Sequence, residues 1–174
     1  MDPAVRLVPF TAVHLDDFAA LAQDADVRRY TRFPDPPQHT FPRTWLARYE
    51  EGRRDGTREA FAIEDGDGTF LGLALAVAIE REAGEAELGY TITPAARGRG
   101  VATAAVTALT RWAFDEQQLE RLTLIIEVAN VASTRVAERC GYLLEGVRRN
   151  AYVKPGVRAD TAVYARLRLY ARLR

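Results

Sequence analysis

Residues 87–106 read ELGYTITPAARGRGVATAAV, and this stretch constrains the fold more than any other. Alternation from Glu87 to Thr91 has the period of a strand, and Pro94 stops it. From Val101 to Phe114 the small apolar residues, with Leu109, Trp112 and Ala113, keep helical spacing. Between strand and helix lie Arg97, Gly98, Arg99 and Gly100. A tight turn into a helix leaves the first N–H groups unpaired and aimed one way. With the helix dipole, those groups suit a phosphate. Gly98 and Gly100 allow close backbone approach because no Cβ intervenes, and Arg97 and Arg99 can add charge-assisted hydrogen bonds. The alternative is a solvated, arginine-rich turn that only caps the helix.

The rest of the chain alternates strands with helices. Val5–Val8 reads as a first strand, and Thr11 can cap a helix carrying Leu15, Phe18, Ala19 and Leu21. The proline-rich RFPDPPQHTFP predicts an irregular loop, followed by a helix with Trp45, Leu46 and Tyr49 that ends near Gly52. Phe61–Glu64 and Phe70–Ala78 flank DGDG, a hairpin signal, and Glu85–Thr91 completes an antiparallel meander. Leu122–Val128 is an apolar strand, Ser133–Arg139 a helix with Gly141 at its C-terminus. Tyr142–Val147 and Ala159–Leu169 read as the last strands. The expectation is a single α/β domain over residues 1–174, with a mixed, mostly antiparallel sheet flanked by helices.

Charge and cysteine usage narrow the function. The chain has 24 basic and 24 acidic residues in 174, and this neutrality argues against nucleic acid as partner. No apolar run is long enough for a membrane span, and the N-terminus has no apolar signal core. With Cys140 as the single cysteine, a cytoplasmic protein is expected. Two separated histidines and one cysteine predict no metal site. The glycine turn is not a P-loop, since no lysine follows Gly100; nor is it a dinucleotide fingerprint, since Thr103 stands where glycine or alanine is needed.

Arg97-Gly98-Arg99-Gly100-Val101-Ala102 does match [QR]-x-x-G-x-[GA], the acetyl-CoA loop of the GNAT acetyltransferase superfamily. With ELGYTITPAARGRGVATAAV and LTLIIEVANVASTRVAERCGYLLEG, the chain resembles the Rim-type branch, the ribosomal-protein N-terminal acetyltransferases. The resemblance is specific from Glu87 to Gly146. It implies an acetyl-CoA core at about 85–147, acceptor-side helices and loop at about 11–55, and a sheet splayed between the strands at 85–92 and 122–128. Acetyl-CoA would lie in that gap, its pantetheine along the backbone of Tyr90, Ile92 and Thr93 and its pyrophosphate on Arg97–Ala102. Family analogy gives Asn130 a hydrogen bond to pantetheine, although Asn130 can equally cap the next helix. Arg135 and Arg139 either reach the nucleotide phosphates or form a solvated helix face.

The implied chemistry is direct attack of an amine on the thioester, so Cys140 is read as a buried small residue and not as a nucleophile. Glu87 is the candidate base, with an exposed strand carboxylate or an arginine partner as the alternative; Glu127 is the reserve. The tyrosine acid familiar in the superfamily is missing, because Ala137 holds its position. Ser133 matches the Rim-type serine near the sulfur, where its hydroxyl can donate to the thiolate while also capping the helix. A backbone N–H near Ile92 would hold the oxyanion. An α-amine titrates near ~8 and a lysine near ~10.4, so lysine costs about 3 kcal/mol more to deprotonate. That tilts the acceptor toward a protein N-terminus or small amine. The alternative function is a non-catalytic acyl-CoA-binding or sensing domain. Finally, VYARLRLYARLR sets Val163, Ala165, Leu167, Leu169, Ala171 and Leu173 on one face and Arg166, Arg168, Arg172 and Arg174 on the other. Such a strand either ends the sheet as an edge for a homodimer or frays as a basic tail.

Overall fold

The computed structural model describes residues 3–154 and 156–168, except the side chains of residues 152 and 153. The chain opens with strand β1 (Arg6–Pro9), helices α1 (Leu15–Ala22), α2 (Ala25–Tyr30) and α3 (Phe41–Arg54), then strands β2 (Glu59–Glu64), β3 (Phe70–Glu80) and β4 (Glu85–Ile92). It continues through α4 (Val101–Arg111), β5 (Arg121–Glu127), α5 (Val131–Arg139), β6 (Leu143–Lys154) and β7 (Val157–Leu167). The strands form one seven-stranded sheet in the order β1-β2-β3-β4-β5-β7-β6. Every neighbouring pair is antiparallel except β4 with β5, so the α/β architecture is the expected mixed, mostly antiparallel one.

Side-chain alternation divides the interior in two. Ala60, Ala62 and Leu73 face α1–α3, where Phe10, Phe18, Trp45 and Tyr49 complete a buried cluster. Trp45 and Tyr49 stack at 4.0 Å, and Phe10 and Phe18 meet edge-on at 5.5 Å. Such aromatic pairs add roughly 0.5–1.5 kcal/mol each beyond the area they bury. On the other face Ala74, Ala76, Leu88, Leu122, Leu124 and Ile126 pack under α4 and α5, with Leu109 fully buried among them. The helical spacing of α4 therefore serves one face, and that of α1 and α3 the other.

Local signals set the boundaries. The first helical region breaks after Gln23, and Asp24 caps α2 by accepting the Val27 N–H at 3.0 Å. Gly141, at φ 77°, ends α5, while the Tyr142 N–H turns back to the Ala137 carbonyl at 3.0 Å. The segment 31–40 is irregular, as its prolines predict. Two expectations at the C-terminal end are corrected. β6 runs to Lys154 and not to Val147. β7 does not end the sheet, because it pairs with β5 on one side and β6 on the other. β6 is the edge strand, so the proposed apolar edge on Val163, Ala165 and Leu167 lies inside the sheet. On the opposite face, Arg166 donates to the Cys140 carbonyl at 2.6 Å and Arg168 to Gln118 at 2.8 Å. Leu169, Ala171, Arg172, Leu173 and Arg174 lie outside the described residues.

Candidate active site

The parallel pair β4–β5 is short. It joins Glu85–Leu88 to Arg121–Leu124, after which β4 runs on to Ile92 and β5 to Glu127 unpaired with each other. A wedge opens between them. Hydrogen bonding along an antiparallel pair alternates between the two sides of a strand. The Thr93 N–H donates to the Leu71 carbonyl of the β3 side at 2.9 Å. The backbone groups of Tyr90 and Ile92 must then point away from β3, into the wedge. The Ile92 carbonyl accepts there from Arg97 Nε at 3.2 Å, which leaves the Ile92 N–H as the donor facing the gap.

At the end of β4, Pro94–Ala96 makes one 3-10 turn and residues 97–100 a tight one, with Gly98 at φ 73° and Gly100 at φ 81°. A Cβ on Gly98 would meet nothing within 4 Å, so open space lies over the turn. α4 starts without a side-chain cap. Among the described residues, no acceptor takes the N–H groups of Val101, Ala102 and Thr103. Unpaired donors at a helix start, below an open backbone cradle, fit a pyrophosphate. Arg99 is exposed beside them. Arg97 does something else with its side chain: its guanidinium grips Asp24 at 2.5 Å and Asp26 at 3.2 Å, both on the α2 side. Burial pushes the Asp24 carboxyl up, but Arg97 and the Val27 N–H outweigh it and hold the group below its usual range. Arg97 thus ties the turn to α2, and its backbone alone is left to line the loop.

Asn130 caps α5, its Oδ1 accepting the Ser133 N–H at 3.1 Å. The capping alternative is therefore real, and the amide nitrogen of Asn130 keeps no hydrogen-bond partner among the described residues. Ser133 Oγ lies 2.9 Å from the hydroxyl of Tyr90, a bond that bridges α5 to β4 across the wedge. Burial pushes the Tyr90 hydroxyl up to about 12, so it stays protonated and able to donate. Arg135 and Arg139 are exposed on α5. Cys140 is buried, its Sγ 3.6 Å from the Thr103 carbonyl between α4 and α5.

Glu87 and Tyr90 lie on opposite faces of the sheet. Tyr90 packs with the α4–α5 cluster, whereas Glu87 is in register with Val77, which packs with the α1–α3 cluster. Glu87 is half-buried, and that burial raises its carboxyl; Arg32 and Arg148 pull it down by less. Glu127 shares this face, four residues beyond Thr123, the register partner of Glu87, and is also half-buried. The wedge is thus a slot through the sheet, with a raised carboxylate on one side and a hydroxyl pair on the other. Sequence reasoning passed over Arg32, Arg148 and the Tyr90 hydroxyl. Only the Tyr90 hydroxyl left a signal, as the aromatic residue at the point where the strands part. Among the described residues, no group of three or more His, Cys, Asp or Glu could hold a metal ion.

The geometry has known counterparts. A family model described as an acetyltransferase (GNAT) domain matches residues 4–143. The chain is 30% identical over 154 residues to YdaF of Bacillus subtilis, a protein named by inference as a ribosomal N-acetyltransferase, covering 87% of this chain and 75% of that one. It is 28% identical to spermidine N(1)-acetyltransferase of Escherichia coli, over 82% of this chain and 75% of that protein. Among solved structures, the ribosomal L7/L12 α-N-protein acetyltransferase RimL, in complex with coenzyme A, superimposes with a TM-score of 0.86 at 22% identity, covering 94% of this chain and 93% of RimL.

Proposed function

The chain belongs to the GNAT acetyltransferase family and is an acetyl-CoA-dependent N-acetyltransferase; from that premise we propose that its acceptor is the α-amine of a protein or peptide N-terminus, attacking directly. Acetyl-CoA supplies a thioester whose carbonyl carbon accepts the amine. The N–H groups of Val101, Ala102 and Thr103, with the backbone of Arg97, Gly98, Arg99 and Gly100, would bind its pyrophosphate. The wedge-facing backbone of Tyr90 and Ile92, together with Thr93 and the Asn130 amide, would hold its pantetheine. Arg135 and Arg139 are free to approach the nucleotide phosphates.

The observation that carries this reading is the division of labour across the sheet. Glu87 faces the α1–α3 side, where an acceptor can enter, and its raised carboxyl brings its basicity nearer to that of an amine. Glu87 takes the proton that the amine must lose, directly or through water, with Glu127 on the same face in reserve. Ser133 holds a proton at Oγ for the departing thiolate, and Tyr90 Oη can replace it. The Ile92 N–H polarises the carbonyl. A carboxylate remains a weak base beside a lysine, which favours an α-amine by about 3 kcal/mol.

The two readings of the acceptor separate in a simple assay. CoA thiol release is followed with a lysine-free peptide bearing a free N-terminus, and with an N-terminally blocked peptide bearing one lysine. The first should turn over and the second should not; the reverse order would sink the α-amine reading. Use of acetyl-CoA as co-substrate supports a cytoplasmic reaction. Among the described residues no helix is long and apolar enough to cross a membrane. The homodimer reading now rests on β6, an edge with Leu143, Leu144 and Val147 all exposed, and a monomer in light scattering would remove it.

A further inference from the structure

Two cations act on the Glu87 charge, and neither side chain is ion-paired with a carboxylate among the described residues. Arg32, just after α2, and Arg148, on β6, are both exposed, and both act on the Glu87 charge. The side chain of neither makes a hydrogen bond or ion pair with another described residue. Arg148 flanks the acceptor side of the wedge, because it is in register with Thr161 and Thr161 with Glu127, on the face that carries Glu87, and Arg32 is close enough to act on the same carboxylate.

The groups around them are also donors. Thr161 is 5% exposed, and its hydroxyl is buried without a hydrogen-bond partner. Arg28 Nε is likewise buried and unpartnered. Lys154 donates to the Arg28 carbonyl at 2.6 Å, docking the end of β6 on α2 and closing this side of the cleft. Of the carboxylates here, Asp35 already serves both Arg28, at 2.8 Å, and Lys154, at 4.0 Å. Asp160 accepts the Asn150 N–H at 2.8 Å, Glu127 is half-buried on β5, and Glu87 is held toward its neutral form. Apart from Glu87 and Glu127, which face the reacting amine, the carboxylates here are already engaged, whereas the side chains of Arg32 and Arg148 are not. A polyamine needs carboxylates to receive its ammonium groups, and buried unpaired donors are costly unless something fills them.

We infer that the acceptor is an amine borne on an anionic body, a peptide N-terminus followed by acidic residues, and not a polyamine. This rests on the acetyltransferase reading above and specifies the charge of its substrate. The amine reaches Glu87, while the carboxylates that follow it lie against Arg32 and Arg148 and within reach of Thr161. Complementary charge of this kind also steers encounter, so the preference weakens as salt screens it.

The test uses the full chain with acetyl-CoA and five amines: Ala-Asp-Asp-Ala, its all-alanine and Ala-Arg-Arg-Ala counterparts, free aspartate, and spermidine. The acidic peptide should exceed the neutral one in kcat/KM by on the order of tenfold and the basic one by more, with the gap closing toward 1 M salt. The double variant Arg32→Glu/Arg148→Glu should invert the peptide order; the single variants Arg32→Gln and Arg148→Gln, at exposed positions, should each narrow it. Free aspartate turned over as well as the acidic peptide would support the anionic assignment and give it a small-molecule source. Spermidine or the basic peptide matching the acidic one would overturn the inference while leaving the acetyltransferase intact. So would an acidic preference indifferent to both arginines. Acetyl-CoA binding without turnover of any of the five amines would instead overturn the enzymatic reading and this inference with it.

Discussion

Tyr90 and Ser133 share one hydrogen bond of 2.9 Å and should act as one unit. Ser133→Ala should lower kcat on the order of a hundredfold with little change in acetyl-CoA affinity, because its proton is needed only when the thiolate departs. Tyr90→Phe keeps the buried ring and should cost less. The double variant should be no slower than Ser133→Ala alone, so single-turnover rates that multiply would separate the two hydroxyls. Glu87→Gln should cost most between the raised titration of Glu87 and that of the acceptor amine, where the carboxylate is ionised and the amine still carries its proton; the loss should fade at acid pH, where Glu87 is itself protonated. Its effect on stability has the opposite sense. Glu87 titrates higher in the folded chain than unfolded, so through that window the folded state binds the extra proton and stability falls as pH rises. Glu87→Gln should therefore be as stable as the parent at acid pH and at least as stable at neutral pH, as chemical denaturation at both would show. The positions of Glu87 and Ser133 beside the wedge were legible in the sequence, because Glu87 sits at a fixed distance from the glycine turn and Ser133 belongs to the Asn-x-x-Ser pair. Arg32 and Arg148 were not, because one lies in a proline-rich loop and the other on an edge strand, and only tertiary packing brings both to Glu87.

At the scale of elements, the glycine turn and α4 form a single device. Gly100 at φ 81° leads directly into the unpaired N–H groups of α4, and a Cβ there would stand 3.1 Å from Pro3. Gly100→Val should cost about 1–2 kcal/mol of stability for the left-handed backbone. It should also abolish acetyl-CoA binding in calorimetry while circular dichroism still reports a folded chain; unchanged affinity in that folded variant would displace the pyrophosphate from this turn. The turn was legible from its glycines. The role of the Arg97 side chain was not, since nothing local shows that Asp24 and Asp26 fold back onto it. β6 escaped for a different reason. Residues 143–150 of this edge strand are all exposed, so no apolar alternation marks where it ends. β7 alternates clearly, yet alternation reveals which faces a strand has and not which neighbours flank it.

For the whole molecule, the two cores lie on opposite faces of one sheet, and the wedge is where the faces communicate. The succession of strands and helices along the chain was legible because period-two and helical patterns alternate cleanly from Phe61 onward, but the place of β7 inside the sheet was not. The slot itself was visible only by resemblance, since a pairing that stops at Leu88 and Leu124 leaves no mark in either strand's composition. The proposed transfer through that slot is direct: the acceptor would come from the Glu87 side, the thiol would be protonated on the Ser133 side, and no acetyl group would rest on the protein. Single turnover with isotopically labelled acetyl-CoA and a lysine-free peptide tests this most directly. Direct transfer predicts label on the peptide α-amine in one-to-one ratio with released CoA thiol, and none on the protein at any time. Label trapped on the protein, or tight acetyl-CoA binding with no thiol released, would contradict it.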